Sequence, residues 1–261
     1  MNPVRLLIVT AVEAERDAIA RGLGTATPVT APGLPGRTLL RVTGNEEVSC
    51  GDALGIASAV RGRPLTADLL TAGVGPAATA AATGAALTAA TVREAPYDLV
   101  ICAGIAGGFA PVAAVGSVVV ADRIVAADLG CQTSDGFLSV DSLGFGTTEH
   151  ACPPDLSAAV ARVLGAVHAP VLTVSTVTGT AERARTLQRR HAAAAEAMEG
   201  FGAAEAAALH GTPLLEVRTV SNTVGPRDRA AWRVPDALAA LRDAFAVLNS
   251  VLARGAPPPY T

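Results

Sequence analysis

Short aliphatic runs recur along the chain, each followed within a few residues by a stretch of helix formers. Val4–Thr10 (VRLLIVT) is followed by Glu13–Arg21, and Asp68–Thr71 runs through AGVG into Pro76–Ala90. Tyr97–Ala103 (YDLVICA), Gly116–Ala121, Pro170–Ser175 and Pro213–Val220 (PLLEVRTV) are further apolar runs, and Arg37–Thr43 reads as one more strand. The main runs are continuous rather than alternating, the pattern of strands covered on both faces. Helices are expected over Glu13–Arg21, Pro76–Ala90, Leu156–Val167, Ala181–Ala194, Glu199–His210 and Val234–Leu252. Strands alternating with helices imply an α/β chain with a largely parallel, doubly covered sheet. No repeat or linker divides it, so residues 1–254 read as a single domain and Gly255–Thr261 as a flexible tail. Ala53–Leu65 reads as a loop, and Ile124–Leu143 mixes apolar and turn residues without a clear period.

Composition narrows the chemistry. The chain has 261 residues, half of them hydrophobic, and a net charge of −3. All 20 basic residues are Arg, which excludes a lysine Schiff base and a lysine-bearing phosphate loop. The Arg residues are interspersed with Asp and Glu, so no basic patch points to nucleic acid. Cys50, Cys102, Cys131 and Cys152 lack CxxC spacing and read as free thiols. The four His have no metal spacing. No secretory leader and no long apolar run is present, so a cytoplasmic protein without membrane contact, metal or cofactor is expected.

In such sheets ligands sit at the carboxyl ends of strands. Four segments are candidates to leave strands there: Ala11–Glu15, Ala72–Gly75, Gly104–Gly108 and Ser221–Gly225. TAGVGPAA (Thr71–Ala78) fits a dinucleotide fingerprint, but the next strand ends in Cys102–Ala103–Gly104, without the acid that would hold a ribose. Close helix–strand packing explains its glycines as well. CAGIAGG (Cys102–Gly108) either makes a tight turn or lets the backbone approach a ligand. AVEAE (Ala11–Glu15) places two acids after the first strand, where they complement a helix dipole or supply a general base. In EAMEG, Glu199 lies in an otherwise apolar, alanine-rich helical stretch, and Glu is rarely buried without a partner. Asn222, after the last strand, presents an amide that both donates and accepts, or caps a turn.

Taken in order, IVTAVEAE, TAGVG, CAGIAGG, VGSVVVAD, MEG and RTVSN resemble the nucleoside phosphorylase and nucleosidase family. Within it they are most similar to methylthioadenosine/S-adenosylhomocysteine nucleosidases and futalosine hydrolases. The resemblance implies a single-domain mixed, largely parallel central sheet flanked by helices, and a homodimer or higher homo-oligomer. It implies that Glu15 activates water, that Glu199 grips ribose hydroxyls with Met198 beneath the sugar, and that Ala106 and Gly107 lie beside the base. Ser221 belongs to the same binding site, and Asn222 meets the purine.

Two departures refine this. Where phosphorylases carry Arg and Ser to hold phosphate, this chain has Cys102 and Ile105, an apolar lining that favours water as nucleophile. Where adenine-releasing nucleosidases carry Asp, it has Asn222, whose NH₂ suits the N7 and O6 acceptors of a 6-oxopurine. The expected substrate is therefore futalosine, which bears hypoxanthine, with Arg227, Arg229 or Arg233 binding its anionic 5′ extension. The competing expectations are a nucleosidase or phosphorylase for inosine, aminodeoxyfutalosine or methylthioadenosine, or a non-enzymatic nucleotide-binding module built on TAGVGPAA.

Overall fold

In the computed structural model of the chain, residues 4–31, 33–47 and 64–254 are described. Twelve strands and six α-helices follow one another among them. The strands are β1 (Val4–Thr10), β2 (Ala26–Thr30), β3 (Thr38–Glu47), β4 (Pro64–Thr71), β5 (Leu99–Gly108), β6 (Val118–Ala126), β7 (Gly130–Thr133), β8 (Gly136–Ser139), β9 (Glu149–Ala151), β10 (Val167–Thr173), β11 (Ala195–Ala197) and β12 (Leu214–Thr223). The helices are α1 (Glu13–Leu23), α2 (Pro76–Val92), α3 (Pro154–Leu164), α4 (Ala181–His191), α5 (Gly200–Leu209) and α6 (Val234–Arg254). Pro at the first turn starts α2 and α3, Thr180 caps α4, and a left-handed Gly165 ends α3.

The main sheet runs β11-β10-β6-β12-β5-β1-β4-β3-β2. Strands β4, β1, β5 and β12 are parallel neighbours, whereas β12–β6, β3–β4 and β2–β3 are antiparallel. β11 also pairs antiparallel with β5, which curls one end of the sheet back on its centre. The mixed, largely parallel sheet flanked by helices is therefore as the sequence implied. Leu6, Ile8, Ile101, Leu215 and Val217 face α1, α3 and α6 on one side. Helices α2 and α5 pack against each other, and α5 lies along β5, β10 and β12. Leu7, Ile8, Leu69, Leu70 and Val100 are completely enclosed, which accounts for the continuous rather than alternating hydrophobicity of these runs.

The expected helices are all present, but several boundaries move. The helix placed over Leu156–Val167 stops at Leu164, because Gly165 turns left-handed and Val167 starts β10. Ala181–Ala194 ends at His191, and the alanines that follow give way to the short strand β11. Their helix propensity yields there to pairing with β5 and β10. Gly104–Gly108 is not a loop: β5 continues through Gly108, with β12 paired alongside it to Thr223. Ile124–Leu143 resolves into the end of β6 and the β7–β8 hairpin. The loop expected over Ala53–Leu65 falls largely outside the described residues, and the tail Gly255–Thr261 does so entirely. Among the described residues no helix is long and apolar enough to cross a membrane.

Candidate active site

The carboxyl end of β5 acts as a ruler on which the candidate residues are set out. Glu15, in the first turn of α1, folds back toward the strand it follows. Its Oε2 accepts from the main-chain N–H of Ala11 and Val12 at 3.0 and 3.3 Å, and its Oε1 accepts from Ile105 N at 2.9 Å. Only 3% of Glu15 is exposed. Burial raises its pKa and the nearby Arg218 guanidinium opposes that, leaving it above the usual carboxylate value. A carboxylate of raised pKa is a better proton acceptor when ionised.

Glu199 is not inside a helix, as its alanine-rich surroundings suggested. It is the residue before α5, in the bend from β11. That position turns its carboxylate toward the start of α2. Oε1 accepts from Gly75 N at 3.2 Å, and Oε2 accepts from Met198 N at 3.3 Å. The glycine turn of TAGVGPAA is thus engaged by Glu199. Met198 is half-buried beside it.

Between these carboxylates lies Arg218, fully buried on β12. Its Nη1 is 3.2 Å from Glu199 Oε2, its Nε donates to Glu216 Oε1 at 2.9 Å, and its Nη2 is 3.4 Å from Cys102 Sγ. Burial works against the charged guanidinium, but Cys102, Glu216, Glu199 and Glu15 together raise its pKa. Gly104 makes the arrangement possible. A Cβ there would lie 2.5 Å from Glu15 Oε1 and 2.8 Å from Arg218 Nη1, so any side chain would push both groups away. The surroundings of Cys102 are consequently not the apolar lining expected from its sequence: a guanidinium rests on its sulfur.

Further along β5 the pairing with β12 shifts between Val220 and Asn222, leaving Ser221 as an extra residue in a bulge. Ser221 Oγ lies 3.3 Å from Ala106 O and 2.9 Å from Asn222 Oδ1, to which it donates. Asn222 stands opposite Gly107, with Nδ2 donating to Thr223 O at 3.1 Å. With Oδ1 facing the serine hydroxyl, the second Nδ2 hydrogen is directed away from it. Glu15, Glu199, Ala106, Gly107, Ser221 and Asn222 are therefore brought to one strand end.

Arg227 and Arg229 are exposed, with guanidiniums 5.9 and 6.0 Å from the Trp232 ring centroid. Their segment folds back on the site, because Arg233 N donates to Ser221 O at 2.8 Å. Val12, Val74 and Val177 are exposed in the segments that follow β1, β4 and β10.

Three buried residues were missed by the sequence reading: Glu196, Glu216 and Arg218. Glu196, opposite Gly107 on β11, accepts from Thr178 N and Oγ1 at 2.7 and 2.5 Å. It thereby secures the loop between β10 and α4. The signal for Glu216 and Arg218 was present in PLLEVRTV. Two opposite charges two residues apart share one face of a strand, and in an otherwise apolar strand they must be buried and paired.

The closed mixed sheet, with paired carboxylates at the end of its central strand, defines a nucleoside phosphorylase-like α/β protein. The chain belongs to the Phosphorylase superfamily, whose sequence pattern matches residues 5–254. It is 55% identical over 250 residues to a futalosine hydrolase of Streptomyces coelicolor, covering 95% of this chain and 97% of the relative. A futalosine hydrolase of Acidothermus cellulolyticus is 44% identical over 257 residues, covering 95% and 91% of the two chains. Among solved structures, an S-adenosylhomocysteine nucleosidase from Streptococcus pyogenes superposes with a TM-score of 0.71 at 21% identity, over 97% of this chain and 98% of the other. A futalosine hydrolase mutant of Helicobacter pylori gives 0.71 at 16% identity, over 95% and 98%. At those identities the structural likeness speaks for the fold.

Proposed function

We infer that the chain is an N-glycosyl hydrolase that cleaves futalosine with water, releasing hypoxanthine and dehypoxanthine futalosine, a cytoplasmic step of menaquinone biosynthesis. The reading is carried by the order of groups along β5: a buried carboxylate at Ile105 and an amide at Gly107, with Glu199 across from them. Cleaving the C1′–N9 bond passes through an oxocarbenium-like sugar. Glu15 is the group to stabilise that cation and take a proton from the attacking water. Glu199 accepts from the ribose hydroxyls, over Met198. The Asn222 NH₂ donates toward N7 and O6 of the departing hypoxanthine, where an ionised Asp would repel O6. The activity named for the two curated relatives agrees with this leaving group.

Water rather than phosphate is the nucleophile in this reading, for a reason that differs from the apolar lining expected at first. Arg218, the buried cation beside Cys102, is already paired with Glu216 and Glu199, so a phosphate dianion next to it would meet carboxylates. Arg227 and Arg229, on the segment pinned to Ser221, are the groups to bind the anionic 5′ extension. Self-association belongs to the same proposal: Phe145, Leu129, Leu138 and Leu143 are exposed around the β7–β8 hairpin, and a second copy would cover them.

The test is chromatography of products from futalosine, aminodeoxyfutalosine, inosine and methylthioadenosine, each with and without phosphate. Hypoxanthine should appear from futalosine at the highest rate and independently of phosphate. A sugar 1-phosphate product, or adenine release from methylthioadenosine as the faster reaction, would overturn the assignment.

A further inference from the structure

Glu216 has no part in the chemistry derived above, yet it is completely enclosed near the start of β12. One oxygen, Oε1, accepts from Arg218 Nε at 2.9 Å. The other, Oε2, has no hydrogen-bond partner among the described residues. Room for the carboxylate exists only because residue 200 is glycine: a Cβ there would come within 2.2 Å of Oε2. The charged and titratable groups around it come from several elements. Arg218 shares its strand, Glu199 precedes α5, and Cys152 follows β9 with Asp122 of β6 nearby. Cys102 of β5 and Glu15 of α1 lie on the far side of the guanidinium. Burying a third carboxylate beside Glu15 and Glu199 is costly, and an apolar side chain would fill the same space without that cost.

The arrangement has a geometric consequence. A guanidinium is a planar fork of five donors, and its plane is set by whichever edge is held. Glu216 holds the inner edge at Nε. With that edge held, Nη1 is presented to Glu199 at 3.2 Å and to the space beside Gly104 that it shares with Glu15 Oε1. Without it, the fork's plane would be set only by longer contacts of its Nη atoms, to Glu199 Oε2 at 3.2 Å, Ile105 O at 3.5 Å and Cys102 Sγ at 3.4 Å.

We propose that Glu216 is a positioning residue: it clamps Arg218 so that Nη1 stays between the carboxylate that activates water and the one that holds ribose. The proposal rests on the reading of the chain as a futalosine hydrolase with Glu15 as its base. Its electrostatic corollary follows from the opposing influences on Glu15, whose pKa is raised by burial and lowered by Arg218. If the guanidinium swings away, the lowering is lost and Glu15 takes up its proton at higher pH.

The experiment compares Glu216→Leu with Glu216→Gln, reading kcat, KM and the pH profile of kcat/KM with futalosine. Glu216→Leu removes the acceptor for Nε. It should lower kcat about 100-fold, the scale for a misplacement of about an ångström in a catalytic group, with a smaller change in KM. Its acid limb should move up by about one pH unit, the lower end of what an adjacent Arg does to a carboxylate. Glu216→Gln keeps an acceptor oxygen and should restore both kcat and the limb toward wild type. A purely structural role would lower the stability of both variants without moving the limb. A folded Glu216→Leu with wild-type kcat and limb overturns the proposal, as does a Gln variant displaced as far as Leu. Should Glu216→Leu fail to fold, Glu216→Asp keeps the charge but shortens the reach, and an unmoved limb in that variant is equally decisive against it. Wild-type enzyme that does not hydrolyse futalosine overturns the functional reading instead, so the two failures are distinct.

Discussion

Among the described residues, two clusters that combine Arg with a buried carboxylate are built on opposite principles. At Asp68 on β4 one carboxylate meets more donors than it needs. Arg41 Nε reaches Oδ1 at 2.6 Å, while Arg41 Nη2, Tyr97 Oη and Arg5 Nη2 reach Oδ2 at 2.8, 2.8 and 3.3 Å. Burial and the neighbouring Asp68 raise the Tyr97 pKa, so the phenol keeps its proton and donates it to the carboxylate. At the end of β5 the ratio is reversed. Among the described residues, Glu15, Glu199 and Glu216 share the guanidinium of Arg218, and Glu216 Oε2 is left without a partner. The first cluster saturates the Asp68 carboxylate, leaves a donor (Arg5 Nε) over, and ties β1, β3, β4 and the approach to β5 together. The second leaves acceptors in excess, which is what general-base chemistry on a sugar requires.

The sharpest break between the two is expected at Glu15. Glu15→Gln should reduce turnover by at least about 10³-fold, within the range for loss of a general base, while thermal unfolding at neutral pH shows no loss of stability. A wild-type rate in that variant would remove Glu15 from the mechanism.

Asn222→Asp tests the neighbouring amide. Relative kcat/KM should swing from hypoxanthine toward adenine leaving groups by orders of magnitude, the scale on which a site that reads a base through specific hydrogen bonds discriminates. Equal losses on both nucleosides would make Asn222 structural.

The satisfied cluster should respond in stability instead. Asp68→Ala strands the guanidiniums of Arg5 and Arg41 and should cost about 3–5 kcal/mol in denaturant unfolding. The kcat of the fraction that remains folded should be unchanged. A selective loss of kcat without destabilisation would mean that the division between the clusters is wrong.

Smaller effects are expected at the exposed arginines. Arg227→Met or Arg229→Met should lower futalosine kcat/KM by about 2–3 kcal/mol, the loss of a charged hydrogen bond, and barely change the weak inosine rate. An unchanged futalosine-to-inosine ratio in both variants would place the anchor for the 5′ extension elsewhere.

The smallest effect is on pH-dependent stability. Glu15, Glu196 and Glu216 all have pKa values raised above 4.5, with burial the main cause. Between that value and the raised ones the folded state binds more protons than the unfolded state, so stability falls as pH rises through this window and then levels off. The melting temperature measured against pH should show the fall, and Glu15→Gln should flatten part of it. A melting temperature that rises through the same window would show that Glu15, Glu196 and Glu216 are not the carboxylates that govern it.

Much of this was legible from local pattern. The continuous hydrophobicity of VRLLIVT and PLLEVRTV required strands covered on both faces, and the intervening helix formers required crossovers, which together imply the layered sheet. Glu15, Glu199 and Asn222 stood out as candidates because each lies in a short motif beside a strand end, whereas Ser221 entered only through the family resemblance. What local pattern could not show was which groups would face one another. Glu199 receives its hydrogen bond from Gly75, 124 residues away. The guanidinium of Arg218 reaches Cys102, 116 residues back. The Ser221 bulge that orients Asn222 exists only as a shift of β12 against β5. A residue's type and its neighbours along the chain decide whether it prefers a strand, a helix or a cap. The charge balance of a buried group is instead a sum over partners delivered by separate strands at a particular register, and only the tertiary structure sets that register.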